Sequence, residues 1–102
     1  VQINSVTLAG RATDSPEVRY FESGSVCANV QMLLVRKDGE DPIFFALELW
    51  GKQAQIAADY LRKGTLFGVI GSFRLQRWND TLTGEARTKP VVRVDRLELL
   101  EA

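Results

Sequence analysis

The chain has 102 residues, enough for one hydrophobic core and not for two, and its 13 basic residues balance 13 acidic ones. Zero net charge argues against a duplex-DNA binder, but it leaves single-strand binding open because the distribution of charge counts for more than its sum. With no histidine and one cysteine, the sequence offers no thiol–imidazole dyad, no metal cluster and no internal disulfide.

Residues 4–12 alternate Val6, Leu8, Gly10 and Ala12 against Thr7, Ala9 and Arg11, which predicts a first strand. Asp14, Ser15 and Pro16 break it. An extended run resumes over 18–21 and ends in a turn at 22–25. Residues 26–35 predict a long strand with Val26, Ala28, Val30 and Met32 inward and Cys27, Asn29 and Gln31 outward. Cys27 is expected to be buried and inert. Residues 36–42 predict a hairpin loop centred on Asp38 and Gly39.

The next strand sets Ile43, Phe45, Leu47 and Leu49 on a core face. Its other face carries Phe44, Ala46, Glu48 and Trp50. Two large rings beside a carboxylate point to a surface that is not fully buried. Base stacking, a subunit interface and ordinary packing all account for such a face. Ala54, Ala57, Ala58 and Leu61 then form the apolar stripe of a helix of about three turns. Lys52, Gln55, Asp59 and Arg62 lie opposite, Arg62 and Lys63 are expected in the last turn, and Gly64 is expected to stop the helix.

After the helix, Phe67, Val69, Phe73 and Leu75 read as a core face bent at Gly71. The opposite face runs Leu66, Gly68, Ile70, Ser72, Arg74, Gln76, Trp78. Its far end mixes cation, amide and aromatic, with Arg77 adjacent, which is the composition of a surface for single-stranded nucleic acid. Its near end, Leu66 and Ile70, is apolar where solvent is expected, which suggests cover by a second subunit. A polar loop over 79–89 and a last strand over 91–100 complete one domain, residues 1–102. Strand, strand, strand, helix, strand, strand is the layout of the OB-fold, an all-β, five-stranded Greek-key barrel with one helix between strands 3 and 4. Gly10 and Gly71 would mark its bends.

Several blocks in this order resemble the bacterial-type single-stranded DNA-binding proteins. They are N-x-V-x-L-x-G-R from Asn4, S-P-E-V-R-Y from Ser15, the run from Ser23 to Asn29, L-W-G-K-Q-A from Leu49, Y-L-R-K-G from Tyr60 and R-W-N-D from Arg77. F-E-S-G from Phe21 and V-V-R-V-D-R-L-E-L-L from Val91 look most like short cyanobacterial and plastid members. The resemblance implies a tetramer of OB-folds that wraps single-stranded DNA in replication, repair and recombination, without catalysis or cofactor. By position it implies stacking by Phe44, Trp50 and Trp78. It implies phosphate contacts from Arg11, Arg36, Lys37, Lys52, Arg62, Lys63, Arg74 and Arg77.

Three features depart from the family pattern. The hairpin loop is short and acidic, with Asp38 about where a further ring is usual. Glu48 sits between Phe44 and Trp50. The sequence to Ala102 does not include the acidic, hydrophobic tip usual in the family, and recruitment of replication and repair proteins is expected only through such a tail. These departures motivate a rival: a divergent OB-fold that docks proteins, like a dimeric primosomal module, with weak or no DNA binding. The sequence shows no membrane-length apolar run and no leader, so a cytoplasmic or plastid location is expected.

Overall fold

A computed structural model describes residues 2–34 and 40–100. Alternating apolar positions produce six strands: β1 (Val6–Ala12), β2 (Glu17–Tyr20), β3 (Val26–Leu34), β4 (Ile43–Trp50), β5 (Leu66–Asn79) and β6 (Ala86–Leu99). One helix, α1 (Gly51–Tyr60), separates β4 from β5. The sheet order is β1-β5-β6-β4-β3-β2, and β1 also pairs with β3 through Arg11↔Leu33 and Ala12↔Met32. That second pairing closes a ring of five strands, leaving β2 as an appendage on β3. The helix thus lies between the third and fourth strands of the ring, as the OB-fold layout requires.

The ring encloses one core. Ala28, Met32, Leu47, Leu49, Phe67, Val69 and Val92 are at most 2% exposed. Ala54, Ala57 and Leu61 bring α1 onto this core, and Gln53 Oε1 accepts a hydrogen bond from the Leu97 amide at 2.9 Å. Ala58, expected in the same stripe, is only half-buried. The helix stops earlier than expected. Leu61 is already extended at φ −81°, ψ 132°, so Arg62 and Lys63 lie beyond the last turn. Gly64 (φ 89°) belongs to the turn into β5. The expected hairpin centre, Asp38 and Gly39, lies outside the described residues, although β3 and β4 pair antiparallel up to Leu34↔Ile43.

β5 and β6 are each 14 residues long and do not stay in the ring. Their register slips between Ile70↔Arg96 and Gly71↔Val94, so Asp95 is an extra residue on β6. Past this bulge Val92 and Arg93 still pair with β4, and beyond them 74–79 and 86–91 continue as a two-stranded arm. β6 begins at Ala86 rather than at the expected Val91, with Pro90 inside it opposite Leu75. Proline is tolerated there because β4 meets β6 at Val92 and Arg93, leaving the arm with β5 on one side. The arm also corrects the expected core: Phe73 is 45% and Leu75 58% exposed. They have left the wall, and Phe73 keeps a tilted contact with Phe45 at 6.5 Å between centroids. Asn4 steadies the start of the arm by donating to the Phe73 carbonyl (2.9 Å) and accepting from its amide (2.8 Å).

Gly10 and Gly71, expected at bends, sit where another backbone approaches closely. A Cβ on Gly71 would lie 2.0 Å from the Arg93 carbonyl oxygen, and one on Gly10 2.4 Å from that of Leu33. Both obstacles are backbone and cannot rotate away. Gly71→Ala is therefore expected to destabilise the fold by about 1–3 kcal/mol or more, read as a lowered urea midpoint with an unchanged slope.

Candidate nucleic-acid interface

Cross-strand register puts the polar and aromatic residues into rows on the outside of the ring. One row runs Arg19, Cys27, Trp50. The next runs Glu17, Asn29, Glu48, Arg93, Ser72. A third joins Gln31 to Ala46, and a fourth joins Leu33 to Phe44. The arm stands beside these rows, with Gln76 paired to Lys89 and Trp78 to Arg87. Between arm and sheet lies an open groove of about 690 Å³, whose lining includes Arg19, Gln31, Gln76, Arg77, Trp78 and Lys89.

The three expected stacking rings do not stand alike. Phe44 and Trp78 are 52% and 45% exposed and open to a flat partner. Trp50 is half-buried and held from several directions. Phe21 stacks on it from the β2 side at 5.8 Å and 17° between planes. The Arg93 guanidinium, from the β6 side, lies 5.8 Å from its ring centroid. Its Nε1 donates to Glu48 Oε1 at 2.6 Å, and the other oxygen of Glu48 accepts from Gln76 Nε2 at 3.0 Å. Trp50 also explains why Cys27, outward by alternation, is nonetheless buried: the indole is its cross-strand neighbour. Burial pushes the Cys27 thiol up, and the charge of Glu48 adds to the shift against Arg19 and Arg93. A thiol so placed stays protonated and unreactive.

Comparison with known proteins fits this geometry. The model of the single-strand binding protein family matches residues 3–100. The chain belongs to this family. It is 48% identical over 101 residues to a single-stranded DNA-binding protein of Thermosynechococcus vestitus, covering 98% of this chain and 84% of that one. It is 47% identical to single-stranded DNA-binding protein 1 of Synechocystis sp., with 98% and 85% covered. A more distant single-stranded DNA-binding protein, from Borreliella burgdorferi, is 34% identical, with 98% and 71% covered.

In this member of the single-strand binding protein family the expected phosphate contacts are scattered. Arg77 lines the groove, and Arg74 extends from the same arm. Lys52 is exposed on the first turn of α1. Lys63 is exposed in the turn after the helix, while Arg62 caps the helix end by donating to the carbonyls of Leu61 (2.7 Å) and Ala58 (3.1 Å). Arg11 donates to the Gly64 carbonyl at 2.8 Å, on the far side of the ring beside Leu66. Arg36 and Lys37 lie outside the described residues. Sequence reasoning did not assign Phe21, Arg19, Lys89 or Arg93 to the site. An aromatic ending one strand, a cation alternating two residues before it, and basic residues at odd positions of β6 were the signals available.

The arm tip is fixed by Asp80. It accepts from the amides of Leu82 (2.8 Å) and Thr83 (3.3 Å), and its second oxygen accepts from Arg87 Nε at 3.0 Å. These donors hold its carboxyl below the usual carboxylate range. A depressed folded pKa means that the contribution is present in full above the unfolded value and is lost as pH falls through the folded one. The arm of the unsubstituted protein is thus expected to exchange its amides more slowly than that of D80N at neutral pH. The difference should vanish once acid has protonated Asp80, as hydrogen exchange across an acid series would read.

Proposed function

We propose that the chain binds single-stranded DNA without sequence specificity and protects it during replication, repair and recombination, as one OB-fold domain with no catalysis of its own. Bases stack on Phe44, Trp50 and Trp78, and cations of the arm and groove, Arg74 and Arg77 foremost, meet the phosphates. Lys52 and Lys63 extend the path, and Arg36 and Lys37 add further contacts. The observation that carries this reading is Trp78, an exposed indole on the arm, lining a groove set with cations and amides. Flat rings accept any base, so the recognition is sequence-tolerant. The printed names of the similar proteins agree with it and do not favour the protein-docking rival. The same cyanobacterial likeness supports a bacterial cytoplasm as its place of work rather than a plastid. Among the described residues no helix is long and apolar enough to cross a membrane.

Titration with oligo-dT is expected to quench tryptophan fluorescence strongly at low salt and weakly at high salt, because each neutralised phosphate releases counterions. Trp78→Ala should cost about 1–3 kcal/mol of affinity per base stacked. Unquenched fluorescence at micromolar protein and low salt would defeat the reading.

We further propose a homo-oligomer, a tetramer in preference to a dimer, built through the outer face of β1 and β5. Ile70 is 44% exposed there and Leu66 half-buried, with Ala9, Gly68 and Leu100 around them in a shallow apolar depression. Apolar residues on an outer sheet face are covered at low cost by a second copy. Ile70→Asp is expected to lower the mass measured by light scattering by at least half, with the fold retained by circular dichroism.

A further inference from the structure

One carboxylate joins two parts of the interface that the fold leaves separate. Glu48 is half-buried on the outer face of β4, and each of its oxygens takes one donor: Trp50 Nε1 at 2.6 Å and Gln76 Nε2 at 3.0 Å. β6 runs between β4 and β5 in the sheet, so the bond to Gln76 steps over a strand and ties the arm back to β4. Trp50 and Gln76 are separately connected to the rest of the site, Trp50 through Phe21 and Arg93, and Gln76 through Trp78 two residues on. On a surface that meets phosphates, a negative charge by itself weakens binding. A half-buried carboxylate with a donor on each oxygen has a different character, since it sets the geometry of the groups that donate to it.

We propose that Glu48 is a positioning residue for single-strand binding: it fixes the plane of the Trp50 indole and the lean of the arm that carries Trp78, so that both rings are set before DNA arrives. The proposal rests on the reading of the groove as the DNA site. Its consequence is preorganisation. A ring already held does not have to be ordered at the moment of binding, which is worth about two- to tenfold in affinity for each side chain so held.

Two charge-matched comparisons separate this role from the charge. E48Q and E48L both remove the negative charge. Only E48Q keeps polar atoms for both neighbours, because its amide oxygen can accept from Trp50 and its NH₂ group can donate to the Gln76 amide once that amide turns over. E48D keeps the charge of the unsubstituted protein on a side chain one methylene shorter, which does not reach both donors. The expected result is that E48L binds oligo-dT about three- to tenfold more weakly than E48Q, and E48D more weakly than the unsubstituted protein by a similar factor, each pair with equal salt slopes. In the free proteins, one of the two indole N–H resonances in a ¹H–¹⁵N spectrum should move in E48L and hold near its place in E48Q, with backbone resonances elsewhere unmoved. Equal affinities within the pairs would overturn the proposal, as would tighter binding by E48L than by E48Q, which would make Glu48 a misplaced charge. If E48L does not fold, the E48D comparison decides by the same criterion. Failure of the unsubstituted protein to bind oligo-dT at all would instead strike the single-strand reading itself, and this proposal with it.

Discussion

The close approach of two backbones at Gly71 is the constraint on which the rest of the structure depends. Two 14-residue strands are too long for the wall of a five-stranded ring. They turn out of the wall past a register slip, where Asp95 is the extra residue on β6 and the missing Cβ of Gly71 on β5 lets the Arg93 carbonyl approach. A bulge of this kind raises local twist and re-aims the strands beyond it. Before the bulge, β5 and β6 cover the core with Phe67, Val69 and Leu97. After it, the same two strands carry Trp78, Arg77 and Lys89 over the outer face of β3 and β4. Val92 and Val94 still belong to the core past the slip, and the groove lies between the arm that follows them and the sheet.

The bulge was written in the sequence but not as simple alternation. The positions of β6 that face the core are 92 and 94, then 97, so the apolar phase slips by one residue across Asp95 and Arg96. Reading residues 91–100 as one uniform strand hides that slip. The same oversight put Phe73 and Leu75 in the core: their alternation with Phe67 and Val69 is genuine, but past Gly71 the face they share has no layer opposite. Period-two patterning tells which residues share a face of a strand. It does not tell whether that face has anything to cover it. Gly10, Gly71, the strand–helix–strand order and the inward sets of β3 and β4 were legible because each rests on local stereochemistry.

The site was legible only in part, for a related reason. Phe44, Trp50 and Trp78 can be found from strand faces and from resemblance, but their unequal exposure comes from long-range neighbours. Phe21 reaches Trp50 from a strand paired two places away, and Arg93 reaches it from a parallel neighbour more than forty residues later in the chain. Cys27 shows the converse. Alternation puts it outside, and it becomes buried because the indole beside it is large. Cations give the weakest signal. Arg62 and Arg11 are spent on backbone carbonyls, a use that no charge count distinguishes from a phosphate contact.

The neutral net charge follows from how the outer surface is divided. The far side of the ring presents Ile70, Ala9 and Leu100 with Glu98 among them, a surface whose chemistry suits protein. The groove side presents rings and cations, with Glu48 half-buried between two donors and Glu17 exposed at the groove's lining. A protein that gripped DNA by charge alone would need a net excess of cations. One that grips by stacking needs flat rings held at the right spacing and enough local positive charge to keep the backbone near. On such a surface a fixed acid can help more through the two groups it orients than it harms through its field, provided that those groups are the ones the bases meet. Trp50, braced on its edge by Glu48 and contacted by Phe21 and Arg93, and Trp78, exposed on the arm that Gln76 ties to the same acid, have the arrangement this argument requires.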